Sequence, residues 1–378
     1  MSLNWTDDPV DVGLGPNRFA AAMRLAESWC TSDEIPAIAV VVGRSNACLR
    51  PQFFGSMNIA RTTPIRSDAI FTVASITKPI VAMAVMLLVE RGEITLGDKV
   101  TSFIPEFAGK GRYGVRMRHL LTHTSGLPDL LPQDRALRQA NASLSAFLSG
   151  VCKAELLFPP GRGVAYSSCG FLLLGEIVTR VTGSPLPEFL RTELFEPLAM
   201  NNTSLGAPLN WFDGSFRERF AEVRVPAEQA DGDSWNWNSR YWRTVGAPWG
   251  GLLSTPMDLA AFAHLMLTEG RCGDRQIVSR ATIAAAVGNQ LEPMREVPEA
   301  DRRCRPWGFG WRLNWPAHGA WFGDVLSESA YGHWGATGTL LWIDPTFDAF
   351  AVLLTTQPQD PDGRYLARLS NALVASLR

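Results

Sequence analysis

Lysine is scarce in this 378-residue chain: four residues, at 78, 99, 110 and 153, against 31 arginines. A basic excess is missing as well, since the formal net charge is −2 and the mean hydropathy is zero. Nucleic acids and anionic membrane surfaces are recognised by basic patches, so neither is expected as a partner. Long apolar runs are absent. The longest, residues 80–89, falls far short of the ~20 residues that span a bilayer. The six cysteines (30, 48, 152, 169, 272 and 304) are dispersed and form no C-x-x-C, which leaves no basis for a zinc knuckle or a thioredoxin-like centre. Buried free thiols in a reducing compartment are expected instead. The opening "MSLNWTDDPVDVG" is acidic and lacks an apolar stretch of the signal-peptide kind. A cytoplasmic location is therefore favoured, with a periplasmic or secreted one open if a leader has been removed. No repeat, low-complexity tract or long linker interrupts the chain.

What the chain does have is 46% hydrophobic residues, enough for a substantial core in one large or two interleaved domains. Residues 17–30 carry helical periodicity, and "IPAIAVVVGR" (35–44) is a β-branched run followed by strand-like residues to about 58. From residue 75 to about 270 the pattern is mainly helical. Strand signals return in "WGFGWRL", "GHWGATGTLLWID" and "AFAVLLTTQ", the last two joined by a "PTFD" turn, and an amphipathic helix closes the chain. The expected fold class is α/β: an antiparallel sheet flanked by N- and C-terminal helices, with an inserted helical domain. Residues 1–70 and 290–378 would form the sandwich, and 71–289 the helical part. A cleft at such a seam is a common place for a site.

Within that helical part, "FTVASITKPIVAMAVMLLVERG" (71–92) holds Ser75 and Lys78 one turn apart. If the helix starts near Ser75, Pro79 lies in its first turn, where a missing N–H costs little. The Ser75 N–H is then unused and near the positive helix end, suited to an oxyanion. Burial and the same dipole would depress the pKa of Lys78, preparing an amine to take a proton from serine. A serine N-cap beside a snorkelling lysine accounts for the same spacing. Against it stands the scarcity of lysine: where arginine serves elsewhere, a lysine in an apolar helix points to a group that must lose its proton.

Two further constellations carry chemistry. In "PPGRGVAYSSCGFLLLGEIVTRVTG" (159–183), Tyr166 precedes a helix that Ser167 or Ser168 would cap, and a phenol beside a cationic lysine can have a lowered pKa and act as a base. In "HWGATG" (333–338), small residues on a strand allow close backbone approach and a second oxyanion N–H, although glycine there also marks bulges.

Ser-x-x-Lys, Tyr-x-Ser and His-x-Gly, in this order, resemble the serine penicillin-recognising superfamily, closest to its class C β-lactamase-like branch of esterases, D-aminopeptidases and DD-peptidases. The segments "MRHLLTHTSGLP" (117–128) and "WGGLLSTPMDLAAFAHLML" (249–267) resemble that family too. The resemblance implies Ser75 as nucleophile, Lys78 as its proton partner, Tyr166 as base or shuttle, and the Ser75 and Ala336 N–H groups as oxyanion hole. Ser168, His333, Trp334 and Gly335 would contact a small ester, amide or β-lactam substrate, with no metal or cofactor. Two positions depart from the pattern. Ser168 stands where lactamases and peptidases usually carry Asn, and His333 where lactamases place Lys. A hydroxyl has fewer hydrogen-bonding groups than a carboxamide, and histidine is at most partly charged near neutral pH. Both tilt the expectation towards an acyl-enzyme hydrolase of esters or small amides. A β-lactamase or D-alanyl-D-alanine carboxypeptidase is the alternative, and a penicillin-binding sensor without turnover the second.

Ten of the 13 tryptophans lie between Trp235 and Trp342, including those of "SWNWNSRYW" (234–242), which packing or an acyl-pocket wall explains. Trp334 is expected to face the pocket. His119 and His123 have i, i+4 spacing but no intervening glutamate of the H-E-x-x-H kind, so they are expected to pack rather than bind metal.

Overall fold

A computed structural model describes residues 3–304, 306–315, 322–360 and 363–378; Trp321 lies outside them. Its main sheet has eight strands, drawn from both ends of the chain. Ala37–Gly43 pairs antiparallel with Ala349–Thr355, which pairs with Thr339–Asp344, then Tyr331–Gly335, then Arg312–Leu313. On the other side lie Gln52–Gly55 and Cys48–Leu49, and Trp5–Thr6 adds in parallel to the latter.

Every residue of Ala37–Gly43 and Ala349–Thr355 is buried. Strand side chains alternate between faces, so an unbroken apolar run means both faces are covered. Ile38, Val40, Val42, Leu340, Trp342, Ala351 and Leu353 face the helices Pro16–Thr31 and Arg364–Val374, where Phe19, Trp29, Leu366 and Leu369 meet them. Ala39, Val41, Leu341, Ile343, Phe350, Val352 and Leu354 face the opposite core, shared with Pro256–Leu267 and Thr77–Glu90. Burying one such side chain contributes roughly 1.5–3 kcal/mol, which fixes the register of both layers.

Thr77–Glu90 is buried from Thr77 through Leu88. A helix apolar all round belongs inside a core, and this one ends where Glu90, Arg91 and Gly92 reach solvent. The intervening stretch is mostly helical and also carries two small sheets. One of them, Phe71–Thr72 with Leu252–Ser254 and Ser204–Leu205, leads directly into the Ser75 turn.

The "GHWGATGTLLWID" run divides in two: Tyr331–Gly335 and Thr339–Asp344 form a hairpin around residues 336–338. Gly338 turns the chain at φ +82°, and a Cβ there would lie 1.8 Å from the Gln357 carbonyl oxygen. Among the described residues no helix is long and apolar enough to cross a membrane.

Candidate active site

The Ser75 turn is a strained piece of backbone held from several sides. Ala74 has φ +49°, the left-handed region that costs a non-glycine residue of order 1 kcal/mol or more. The Thr77 hydroxyl donates to the Ala74 carbonyl at 2.6 Å and accepts the Leu252 N–H at 3.1 Å. From the hairpin, Thr337 donates to the Thr72 carbonyl (2.6 Å) and Thr339 to the Val73 carbonyl (2.9 Å). Gly335 makes that approach possible: a Cβ on it would sit 2.3 Å from both the Val73 oxygen and Thr339 Oγ1. None of these clamps was singled out from the sequence, although Thr77 and Thr337 lie inside the motifs and Thr339 directly follows the third.

Ser75 is only partly buried in an otherwise buried stretch, which leaves this residue open to a ligand. Lys78, wholly buried, donates from Nζ to Ser75 Oγ at 3.1 Å and to the Trp249 carbonyl at 2.8 Å. Burial pulls its pKa from 10.5 down to about 7, against the opposing pull of the Asp129 carboxylate. Near neutral pH this amine is therefore part ammonium and part free base.

Tyr166 lies over Lys78, 4.6 Å from Nζ to ring centroid, and its hydroxyl hydrogen-bonds Ser75. The expected lowering of its pKa is not met. Burial pushes the phenol up, and the Ser75 hydrogen bond only partly opposes it. An amine that is itself half neutral supplies too little positive charge to offset desolvation, so the phenol keeps its proton. It is a proton donor here.

Both oxyanion candidates are oriented by their own peptides. In a trans peptide the C=O and N–H point opposite ways. The Ala74 carbonyl is taken by Thr77, and the Gly335 carbonyl by the Gly338 N–H at 2.9 Å. The Ser75 and Ala336 N–H groups therefore project away from those bonds, with Ala336 exposed.

The third motif splits across the sheet. His333 faces the Ser75 side, wholly buried, its ring 5.9 Å from those of Tyr166 and Trp307. Its Nδ1 is 2.7 Å from the Trp334 carbonyl, an acceptor, so the proton sits on Nδ1. Burial and the Lys78 charge hold its pKa at about 3, so His333 is a neutral backing wall rather than a cation. Trp334 corrects its expectation. Alternation along the strand sends it to the other face, where it packs against the core under the terminal helices, beside Phe322.

Helix Ser168–Thr182 is capped by Ser167, whose Oγ accepts the Gly170 N–H at 3.0 Å. Ser168 opens the helix; its N–H donates to the Asp129 carboxylate at 2.9 Å, and its hydroxyl has no protein partner among the described residues. His123 lies with its ring against that of Tyr166, centroids 4.6 Å apart and tilted by 35°, and accepts the Ser167 N–H on Nδ1 at 3.0 Å. Its φ of +59° places it beyond helix Met117–Leu121, so it and His119 share no helical face. In the tryptophan-rich loop, Trp235 and Trp242 are buried against Arg138, which lies 5.3 and 4.3 Å from their rings. That loop is packed structure, while Trp249 supplies the carbonyl that orients Lys78.

The profile of the Beta-lactamase family matches residues 19–375. The chain belongs to that family. Among curated relatives it is 27% identical over 335 residues to a protein named as a candidate D-alanyl-D-alanine carboxypeptidase of Salmonella agona (strain SL483), covering 82% of this chain and 74% of that one. Among solved structures it is similar to a penicillin-binding protein homologue from Caulobacter crescentus, with TM-score 0.77, 24% identity, and 97% and 99% of the two chains covered. It is also similar to a family VIII carboxylesterase, with TM-score 0.76, 21% identity and the same coverage. The Beta-lactamase-family fold is thereby shown, and within it this member is a serine hydrolase.

Proposed function

We propose that the chain cleaves esters or small amides through an acyl-enzyme on Ser75. The observation that carries the reading is a buried amine, with a pKa of about 7, 3.1 Å from the hydroxyl of an only partly buried serine. In its neutral form Lys78 takes the Ser75 proton as Oγ attacks the carbonyl carbon. The Ser75 and Ala336 N–H groups stabilise the oxyanion. As the carbon–leaving-group bond breaks, the proton passes to the leaving group through Lys78 or the Tyr166 hydroxyl. Water then attacks the acyl-serine with the same groups in reverse roles. Gly335 contributes by admitting the Val73–Ala74 backbone, and Ser168 offers a free hydroxyl to the acyl part.

A D-alanyl-D-alanine carboxypeptidase or β-lactamase is the second reading, favoured by the name of the Salmonella relative. Such substrates carry a carboxylate, and a neutral His333 leaves them without the cation lactamases place there. Fluorophosphonate labelling read by intact mass tests the proposal. One adduct is expected on the wild type and none on Ser75→Ala; equal labelling of both ends it. Chromogenic cephalosporin turnover matching that of short esters would promote the second reading, and acylation without release would favour a sensor.

A further inference from the structure

A cavity of about 490 Å³ opens in the helical part of the chain, and neither Ser75, Lys78, Tyr166 nor Ala336 lines it. Its walls come from helix Met117–Leu121, the turn at Pro160 and Gly161, helix Arg280–Val287 and the loop that follows. A space of this size suits a small organic molecule rather than a single ion.

The floor is apolar. Phe309 is buried there, with Leu96, Ala285 and Met294 partly buried around it. Gln290, also on the wall, turns its side-chain amide N–H to the Ala285 carbonyl at 2.9 Å.

The rim is cationic. Arg118 and Arg295 line the cavity and are exposed. Arg118 gives one guanidinium N–H to the Leu96 carbonyl at 3.3 Å; among the described residues neither arginine has a carboxylate at ion-pair distance. Elsewhere in the helical part Arg91, Arg180 and Arg191 are each paired with a glutamate. The acidic lining residue, Glu296, is already matched by Arg162 at 3.0 Å. His119 stays neutral: burial, then the Arg118 and Arg116 charges, bring its pKa down to about 4. A guanidinium presents paired N–H groups that fit the two oxygens of a carboxylate.

We infer that this cavity is a second binding site, separate from the Ser75 cleft, for a small carboxylic acid with an apolar body. Arg118 and Arg295 hold the carboxylate, while Phe309, Leu96 and Met294 cover the body. Burial of the body supplies affinity, and the unpaired guanidinium charges choose an acid over an amine. Such binding requires no turnover at Ser75.

Isothermal titration at pH 7 and low ionic strength compares 4-phenylbutyrate, 4-phenylbutan-1-ol and 4-phenylbutylamine, which share a body and differ in charge. Phenylbutyrate should saturate one site and bind at least about tenfold more tightly than the alcohol, with the amine weaker still. Arg118→Gln and Arg295→Gln should each weaken phenylbutyrate about three- to tenfold and leave the alcohol within about twofold. Ala285→Phe should fill the floor and abolish binding of both; if that variant does not fold, the two exposed arginines decide alone. Wild type carrying a fluorophosphonate on Ser75 should bind phenylbutyrate as tightly as free protein does. No saturation below about 10 mM, equal affinity for acid and amine, unchanged affinity in both arginine variants, or loss of binding on labelling Ser75 would each overturn the inference. Failure of Ser75 to label would instead sink the hydrolase reading, and the three titrations would still decide whether the second site exists.

Discussion

Replacing Lys78 with methionine is expected to end turnover and yet stabilise the protein at acid pH. The pKa falls from 10.5 to about 7 on folding, and 3.5 units at 1.36 kcal/mol each make a cost of about 5 kcal/mol for keeping the ammonium buried. Methionine forgoes the bonds to Ser75 and the Trp249 carbonyl, about 1 kcal/mol each. The net gain at pH 6 is then about 3 kcal/mol. Its pH dependence follows from linkage. Between pH 7 and 10.5 the unfolded chain holds a proton that the folded chain has lost, so wild-type stability climbs through that window. The advantage of methionine is full below pH 7, fades as pH rises, and becomes a loss of about 2 kcal/mol near pH 10.5. Urea unfolding of both proteins at pH 6, 8 and 10 measures it. The same amine sets the rate: its neutral fraction grows from about a tenth at pH 6 to nine tenths at pH 8, so wild-type kcat/KM should rise about tenfold. A stability difference independent of pH, or a flat rate profile, would refute the reasoning.

Tyr166→Phe should lower kcat/KM about 10²- to 10³-fold while leaving the pH midpoint near 7, because the titrating group is Lys78; a profile that loses its midpoint reassigns the base to the phenol. Gly335→Ala places a methyl 2.3 Å from the Val73 carbonyl, which should cost about 2–3 kcal/mol in unfolding. It should also reduce kcat more than it raises KM, because the hairpin that supplies Ala336 is pushed off the Ser75 turn; unaltered kinetics would separate the hairpin from the oxyanion.

The Ser75–Lys78 pair was legible because a three-residue spacing brings two side chains together one helical turn apart, here across the join between the Ala74–Ile76 turn and helix Thr77–Glu90. Both sheet halves were legible because β-branched runs buried on two faces have few other uses. The misreadings came where direction mattered more than identity. Trp334 follows His333 on a strand, so if one faces the serine the other cannot; counting by two would have shown it. The Tyr166 shift depends on how much water the folded chain leaves around the phenol, and no local pattern encodes that. The turn at 336–338 was signalled by Gly338, but its small neighbours also suit an uninterrupted strand.

The threonine staples span very different parts of the chain: 265 residues separate Thr337 from the Thr72 carbonyl it grips, and 266 separate Thr339 from the Val73 carbonyl. During synthesis the serine and its amine therefore leave the ribosome long before the hairpin that completes their chemistry. Contacts of such sequence separation form late, because loop closure must come first. The nascent polypeptide carries an inert serine, and a product of premature termination before the last two central strands would be left without hydrolytic power.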